Sequence, residues 1–314
     1  MIPALPAEPS SLGALRADLE AWRPALAAVA ARHGLAGAPR PAACGSLPVF
    51  LFDEAAVKLY APDRVWRPEA GEGCSDWEVE RGLLGVVEDA PAILGEGTLG
   101  DWRYLAMSRV PGAPIESLLP ALGEPPRLAA LRQLGARVRA LHALPPPALP
   151  YAVRDFDAFL AGQARDVARI ERDRGAPEAW AAQLDGFVRR VPRGDAAPVL
   201  LHTELGPGHA LAELAEGAVV FRGFIDFVDA MPGDAEYDLA AIAFFVTRGD
   251  GLALGAFLDG YGWEGPRGAA LALRLMRYLL LHRFAPLRWL LERRPPGAAR
   301  TLEALAHRWM GLAE

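Results

Sequence analysis

In the first third of the chain, apolar positions fall into short runs separated by polar turns. Leu47 to Phe52 and Ala55 to Tyr60 are apolar, β-leaning runs on either side of Asp53-Glu54, a pattern that predicts a hairpin. Ahead of them, Ser11 to Glu20 and Pro24 to His33 read as two helical pieces. Pro24 falls in the first turn of the second piece and Gly34 just past its end. Ser75 to Val87 predicts another helix. Ser75 and Glu78 form an S-x-x-E capping box, and Trp77, Glu80, Leu84 and Val87 share one face. Arg103 to Arg109 predicts a short strand, which Val110-Pro111-Gly112 ends.

Beyond that point the helical period dominates. Leu128, Leu131, Leu134, Val138 and Leu141 form an apolar stripe, and Asp155 to Arg172 and Glu178 to Arg190 predict two more helices. One β-rich island interrupts them. Pro198 to Leu201 is apolar and runs into His202-Thr203-Glu204-Leu205-Gly206-Pro207-Gly208-His209. Ala210 to Leu214 and Val219 to Ile225 then flank a Glu216-Gly217 turn as a hairpin. The last 75 or so residues return to helix. The expected architecture is α+β and bilobal. Residues 1–109 form a small β-rich lobe with a helical extension over about 1–40, and residues 110–314 a larger helical lobe.

Composition adds exclusions. At 314 residues and 52% hydrophobic, the chain has ample material for a core. A net charge of −6 offers no basic field for nucleic acid. Ala270 to Leu281, the most apolar stretch, is broken by Arg274 and Arg277, so no membrane span is expected. Two cysteines, Cys44 and Cys74, read as reduced thiols, and no secretory leader is visible, which predicts a cytoplasmic protein. One oddity stands out. Of 33 Lys plus Arg, 32 are Arg and only Lys58 is Lys. Drift in a GC-rich genome explains the arginines but not the lysine that stayed.

The order of motifs resembles the aminoglycoside phosphotransferase and choline kinase family of the protein-kinase-like fold. That family carries His-Gly-Asp-Leu-x-x-x-Asn, then Ile-Asp-Phe/Trp, then Gly-Asp-x-x-x-Asp-Leu-Ala. Here the same order is His202-Thr203-Glu204-Leu205 to His209, Ile225-Asp226-Phe227, and Gly233-Asp234 to Asp238-Leu239-Ala240. Upstream, Val57-Lys58-Leu59 looks like the lysine strand, Ser75 to Val87 like the helix that supplies its carboxylate, and Leu105 to Gly112 like the strand and hinge. Leu141-His142-Ala143-Leu144 looks like the segment ahead of the catalytic loop.

The resemblance implies a small-molecule O-phosphotransferase that moves the γ-phosphate of ATP or GTP to a hydroxyl, with Mg²⁺, acting as a monomer or dimer. Lys58 would bind phosphates as a compact ammonium, for which the planar fork of Arg is a poor substitute. Glu80, on the apolar face of its helix, is the preferred partner for Lys58, with Glu78 the fallback. Gly45 and Ser46 sit where a loop covering the nucleotide would lie, and Met107 lies in the strand leading to the hinge. Asp226 would hold Mg²⁺, a cation that takes hard oxygen ligands. His202 and Asp238 would brace the catalytic loop, and Glu204 would receive the acceptor hydroxyl. Two departures matter: Glu204 replaces Asp, and His209 replaces Asn as the second metal position. They leave a nucleotide-binding pseudokinase as the alternative. His202-x-Glu204 also opens a zinc deaminase signature, but no Pro-Cys-x-x-Cys follows it.

The acceptor class stays open. Glu204 to Glu264 holds eleven acidic and two basic residues, a field that would attract a polycation such as an aminoglycoside. Pro266 to Glu314 holds nine Arg and three Glu, the opposite sign. Tyr261, Trp263, Tyr278 and Trp289 are candidate pocket aromatics.

Overall fold

A computed structural model of the chain describes residues 2–5, 12–43, 45–66, 73–150, 155–194 and 196–312. Cys44, and Ser11 at the start of the first expected helix, lie outside these residues. The chain divides into two units. The first is Met1–Pro111 with two short returns, Pro147–Val153 and Gly223–Asp229. The second is Gly112–Pro146, Arg154–Arg222 and Ala230–Glu314.

The first unit is built on a five-stranded antiparallel sheet in the order β1-β2-β3-β5-β4. Its strands are β1 (Arg40–Pro41), β2 (Val49–Leu51), β3 (Ala55–Tyr60), β4 (Ile93–Leu99) and β5 (Trp102–Ser108). Every residue of β3 is buried, so the central strand is covered on both faces. The register separates those faces. Lys58 lies opposite Leu105 and Ala56 opposite Met107, so Ala56, Lys58, Tyr60, Leu105 and Met107 share one side. Val57, Leu59, Tyr104 and Ala106 point the other way, into a core with Phe50, Trp22, Leu26 and Val29. The last three come from helix α2 (Leu19–His33), which follows the short α1 (Leu12–Arg16).

Three local expectations are corrected here. α2 is one helix that contains Pro24, because Asp18 accepts the N–H of Ala21 and starts it earlier. The capping box at Ser75 does not form. Cys74 is the N-cap of α4 (Ser75–Leu84), and the side chain of Asp63, at the start of α3 (Asp63–Trp66), takes the N–H and hydroxyl of Ser75, both 2.9 Å from its Oδ1. α4 also stops at Leu84, so Val87 lies beyond it. Strand β4 carried no β signal because it contains Gly95 and Gly97. A Cβ at Gly95 would lie 2.1 Å from the His33 ring, and one at Gly97 2.8 Å from the Tyr104 hydroxyl. These glycines make room for the 2.8 Å His33–Tyr104 hydrogen bond.

The second unit is mostly helical. Strand β6 (Ala113–Pro114) leads into α5 (Ile115–Leu118), a short 3-10 turn (Leu119–Ala121) and the long α6 (Glu124–His142). Helices α7 (Phe156–Asp173) and α8 (Glu178–Arg190) follow, with Asp155 capping the first through the N–H of Ala158. Strand β7 (Val199–Leu201) pairs antiparallel with β10 (Met231–Gly233). Between them β8 (Ala210–Ala215) and β9 (Ala218–Phe224) form the expected hairpin, joined by β6 in a three-stranded sheet. Both turn residues, Glu216 and Gly217, have positive φ, as a tight hairpin requires. Then come α9 (Ala235–Ala241), a π turn (Ile242–Val246), α10 (Gly251–Tyr261), α11 (Ala269–Leu280), α12 (Leu287–Arg293) and α13 (Leu302–Met310). Among the described residues no helix is long and apolar enough to cross a membrane.

Two glycines bring α6 and α10 together. A Cβ at Gly135 would lie 2.2 Å from the carbonyl oxygen of Phe257, and one at Gly260 2.0 Å from that of Arg132. Backbone meets backbone there, so neither side can give way. Replacing Gly135 with Ala is expected to destabilise the protein by about 2 kcal/mol through overpacking. Gly162→Ala in α7, where a Cβ meets nothing within 4 Å, is expected to stabilise by roughly 0.5–1 kcal/mol. Denaturant unfolding of the two variants checks the contrast.

Candidate active site

In the first unit, the side of the sheet that bears Lys58 carries a buried charge cluster. The Lys58 ammonium lies 2.7 Å from Glu80 Oε2 and donates to Asp226 Oδ1 at 2.6 Å. Of the two carboxylates that the α4 sequence offered, it is Glu80 that meets the lysine. Tyr60, two residues on and so on the same side of β3, donates its hydroxyl to Glu80 Oε2 at 2.7 Å. Glu80 Oε1 accepts the N–H of Phe227 at 3.2 Å. One carboxylate thus ties the lysine strand to the Ile225-Asp226-Phe227 segment. Burial works against the ammonium, but Asp226 and Glu80 outweigh it and hold the Lys58 pKa above the ordinary lysine value. Burial likewise lifts the Tyr60 hydroxyl well above its usual range.

Exposure separates the members. The Lys58 and Glu80 side chains are 6% and 1% exposed, while Asp226 is 23% exposed. Asp226 also has φ 69°, a left-handed conformation uncommon for a residue with a side chain. Met107 is buried on the lysine side of β5. Gly45 and Ser46 are exposed in the connection between β1 and β2, Gly45 with φ 115°.

The second unit holds the His202–His209 loop, directly after β7. Asp238 of α9, fully buried, organises its start. Its Oδ2 accepts the N–H of His202 and its Oδ1 that of Thr203, each at 2.8 Å. His142 Nε2 lies 3.1 Å from the same Oδ2, and His142 Nδ1 lies 2.9 Å from the Tyr261 hydroxyl. His142 ends α6 and Tyr261 ends α10, so the glycine crossing of those helices sets these two side chains next to each other. Farther along the loop, Glu116 of α5 accepts the N–H of Gly208 at 2.8 Å. Glu204 and His209 are half-buried, and the His209 ring lies 5.7 Å from that of His202. Tyr60 and Glu116 are not singled out by the sequence, and Tyr261, expected as a pocket aromatic, instead meets His142. Only Tyr60 left a signal, its period-2 spacing from Lys58.

Tyr261 and Trp263 lie side by side, with ring centroids 6.3 Å apart. Trp263 and Tyr278 line a cavity of about 350 Å³ with Arg193, Asp234, Glu236 and Arg274. Asp234 follows the end of β10 that pairs with Val199, whereas the loop leaves the other end of β7 at Leu201. This cavity and the loop therefore lie at opposite ends of one ribbon. Tyr261 is taken by His142, and Trp289 packs on Phe245. Nor is the acidic excess a bare field. Glu213, Asp234, Glu236, Asp250 and Asp259 pair with Arg222, Arg193, Arg274, Arg127 and Arg267.

Removing the ammonium would strand Glu80 in the interior. Lys58→Met is expected to lower unfolding stability by about 3 kcal/mol, because breaking a buried pair leaves an uncompensated charge. Adding Glu80→Gln should return a large part of the loss. Denaturant unfolding of the single and double variants reads this, and a Lys58→Met protein as stable as the wild type would contradict the pairing.

Residues 80–272 match the sequence model of the phosphotransferase enzyme family. Among solved structures, the chain is similar to the GDP complex of aminoglycoside 2'-phosphotransferase-IIIa, with a TM-score of 0.64 at 14% identity over 91% of this chain and 97% of that one. It is also similar to aminoglycoside phosphotransferase APH(3'')-Id from Streptomyces rimosus, with a TM-score of 0.56 at 23% identity over 85% and 99%. A third likeness is to aminoglycoside-3'-phosphotransferase of type VIII, with a TM-score of 0.55 at 21% identity over 82% and 97%. The fold, a β-sheet lobe and a helical lobe, is the kinase-like fold of these structures, and the family match runs from Glu80 through Asp226 and Asp238. The chain belongs to the phosphotransferase enzyme family.

Proposed function

We propose that this protein transfers the γ-phosphate of ATP or GTP to a hydroxyl of a small molecule. The observation that carries the reading is the burial of the chain's single lysine between Glu80 and Asp226. Phosphoryl transfer needs little covalent help from the protein. It needs the phosphates held in line and their charge neutralised. Lys58, fixed on a central strand, supplies a compact positive charge for the α- and β-phosphates, and Glu80 fixes where that charge sits.

Asp226 is the metal-binding residue in this reading, with His209 the second candidate ligand. The donor chemistry of Asp226 fits Mg²⁺, since it offers hard carboxylate oxygens and is the most exposed member of its cluster, whereas the His209 imidazole is a poorer donor for that cation. Mg²⁺, when bound, would screen the negative charge of the β- and γ-phosphates. Glu204 accepts the proton of the acceptor hydroxyl as its oxygen attacks phosphorus. The bond from the γ-phosphorus to the β-bridging oxygen breaks, and the nucleoside diphosphate leaves. His202 takes no proton here and serves as scaffold for the loop.

An aminoglycoside is the first acceptor class to test. Related structures include a GDP and kanamycin complex of APH(2'')-IIIa and a streptomycin–ATP complex of APH(2'')-IIa. The arginine pairing of the acidic segment weakens the electrostatic argument for a polycation, so neutral polyols belong in the same panel.

The test has two stages. ATP or GTP with Mg²⁺ should raise the unfolding temperature, and a hydroxyl-acceptor panel should then show phosphate transfer. Asp226→Ala is expected to abolish turnover, and Lys58→Arg to lower kcat/KM by about 10²-fold, the scale of a misplacement near 1 Å. Full activity of Lys58→Arg would overturn the role given to Lys58. Nucleotide stabilisation with no transfer to any acceptor would indicate a nucleotide-binding pseudokinase, the alternative that the departures at Glu204 and His209 leave open.

A further inference from the structure

One buried histidine has no part in the roles assigned so far. His282 lies in the turn after α11 and is 5% exposed. Its ring stacks on Tyr237 of α9, with centroids 4.9 Å apart and planes 15° apart. Its Nε2 lies 3.0 Å from the carbonyl oxygen of Thr203, and its Nδ1 lies 3.2 Å from the backbone nitrogen of Phe284. These partners fix the ring's proton. A backbone N–H only donates, so Nδ1 accepts from Phe284. A carbonyl only accepts, so Nε2 carries the hydrogen and donates to Thr203. Burial pushes the His282 pKa down to about 4, against the pull of the Thr203 carbonyl and Asp238, so the ring is neutral at pH 7.

The Thr203 carbonyl belongs to the peptide group that leads into Glu204. The other edge of that group, the Glu204 N–H, donates to His202 Nδ1 at 3.3 Å. One peptide plane is therefore held between two imidazoles. It needs holding. Thr203 has φ 71°, and a β-branched residue in the left-handed region costs of order 1–3 kcal/mol unless its surroundings over-determine it. Asp238 grips the N–H groups of His202 and Thr203, which fixes the chain up to Thr203. It does not fix the rotation about the following Cα–C bond, and that rotation decides where Glu204 points. His202 belongs to the same loop and would move with it. His282 is anchored on a different part of the fold.

We infer that His282 is a positioning residue for phosphoryl transfer: by holding the Thr203–Glu204 peptide plane it aims the Glu204 carboxylate. This rests on the reading of Glu204 as the group that meets the acceptor hydroxyl. His282 itself touches neither nucleotide nor acceptor in this scheme.

His282→Leu keeps apolar volume and removes the donor, while His282→Gln keeps an N–H donor at the reach of Nε2. The leucine variant is expected to lose about 10²-fold in kcat, with the nucleotide KM unchanged. The glutamine variant should recover most of that loss. Wild-type kcat in His282→Leu, a parallel rise in nucleotide KM, or a loss that glutamine does not rescue would each overturn the inference. A double-mutant cycle guards against a general structural effect. In a Glu204→Ala background, His282→Leu should cost nothing further, and an additive loss would sink the positioning role. Histidine ¹⁵N spectra of the full wild-type chain at pH 7 should show His282 neutral and protonated at Nε2. An Nδ1-protonated ring would refute the clamp whether or not turnover is found. Full activity of Glu204→Ala would instead remove the parent reading.

Discussion

Burying an ammonium is costly unless a carboxylate comes with it, and the first unit is arranged around meeting that demand for Lys58. The sheet needs a helix on the lysine side that delivers Glu80 into the interior, and α4 does this with Val79 and Leu83 beside Glu80 on its buried face. It also needs the chain to come back after more than a hundred residues, and Gly223–Asp229 does so. That return places Asp226 on the ammonium, while the Phe227 N–H takes the second oxygen of Glu80. Remove the lysine and the reason for both arrangements disappears.

Asp238 plays the corresponding part in the second unit, with a carboxylate where the first unit has an amine. A buried carboxylate must find donors, and this one finds two consecutive backbone N–H groups and an imidazole. The cost of stranding any of them keeps the start of the loop in one conformation. The imidazole ends α6 and meets Tyr261 at the end of α10, and those two helices touch at Gly135 and Gly260. A packing detail of two helices therefore reaches the loop through one histidine and one tyrosine.

Much of this was legible in the residues. The lysine was conspicuous because no other survives, and the strand around it reads plainly as Ala-Ala-Val-Lys-Leu-Tyr. The ends of α7 and α8 follow from Asp155 and from the helical period of Glu178 to Arg190. What stayed hidden depends on partners distant in sequence. Asp63 displaces a local capping box from twelve residues away. β4 looks like a turn because its glycines answer to His33 and Tyr104. α2 runs through Pro24 because the cap at Asp18 and the burial of Trp22, Ala25, Leu26 and Val29 outweigh one lost hydrogen bond. His282 acts on a carbonyl 79 residues earlier, and nothing local to either position announces the contact.

The one lysine has a consequence outside phosphate chemistry. Since Lys58 is buried and held protonated, the surface of this protein carries no lysine side chain at all. Apart from the α-amine, reagents that acylate amines, and cellular machinery that modifies lysines, meet no amine on that surface, because its strongly basic side chains are all arginine. The only side-chain amine reacts when the fold around β3 opens and the proton leaves. Slow acylation at the Lys58 Nζ, read apart from the α-amine, would therefore time a local opening event, as amide exchange does, at a single known atom.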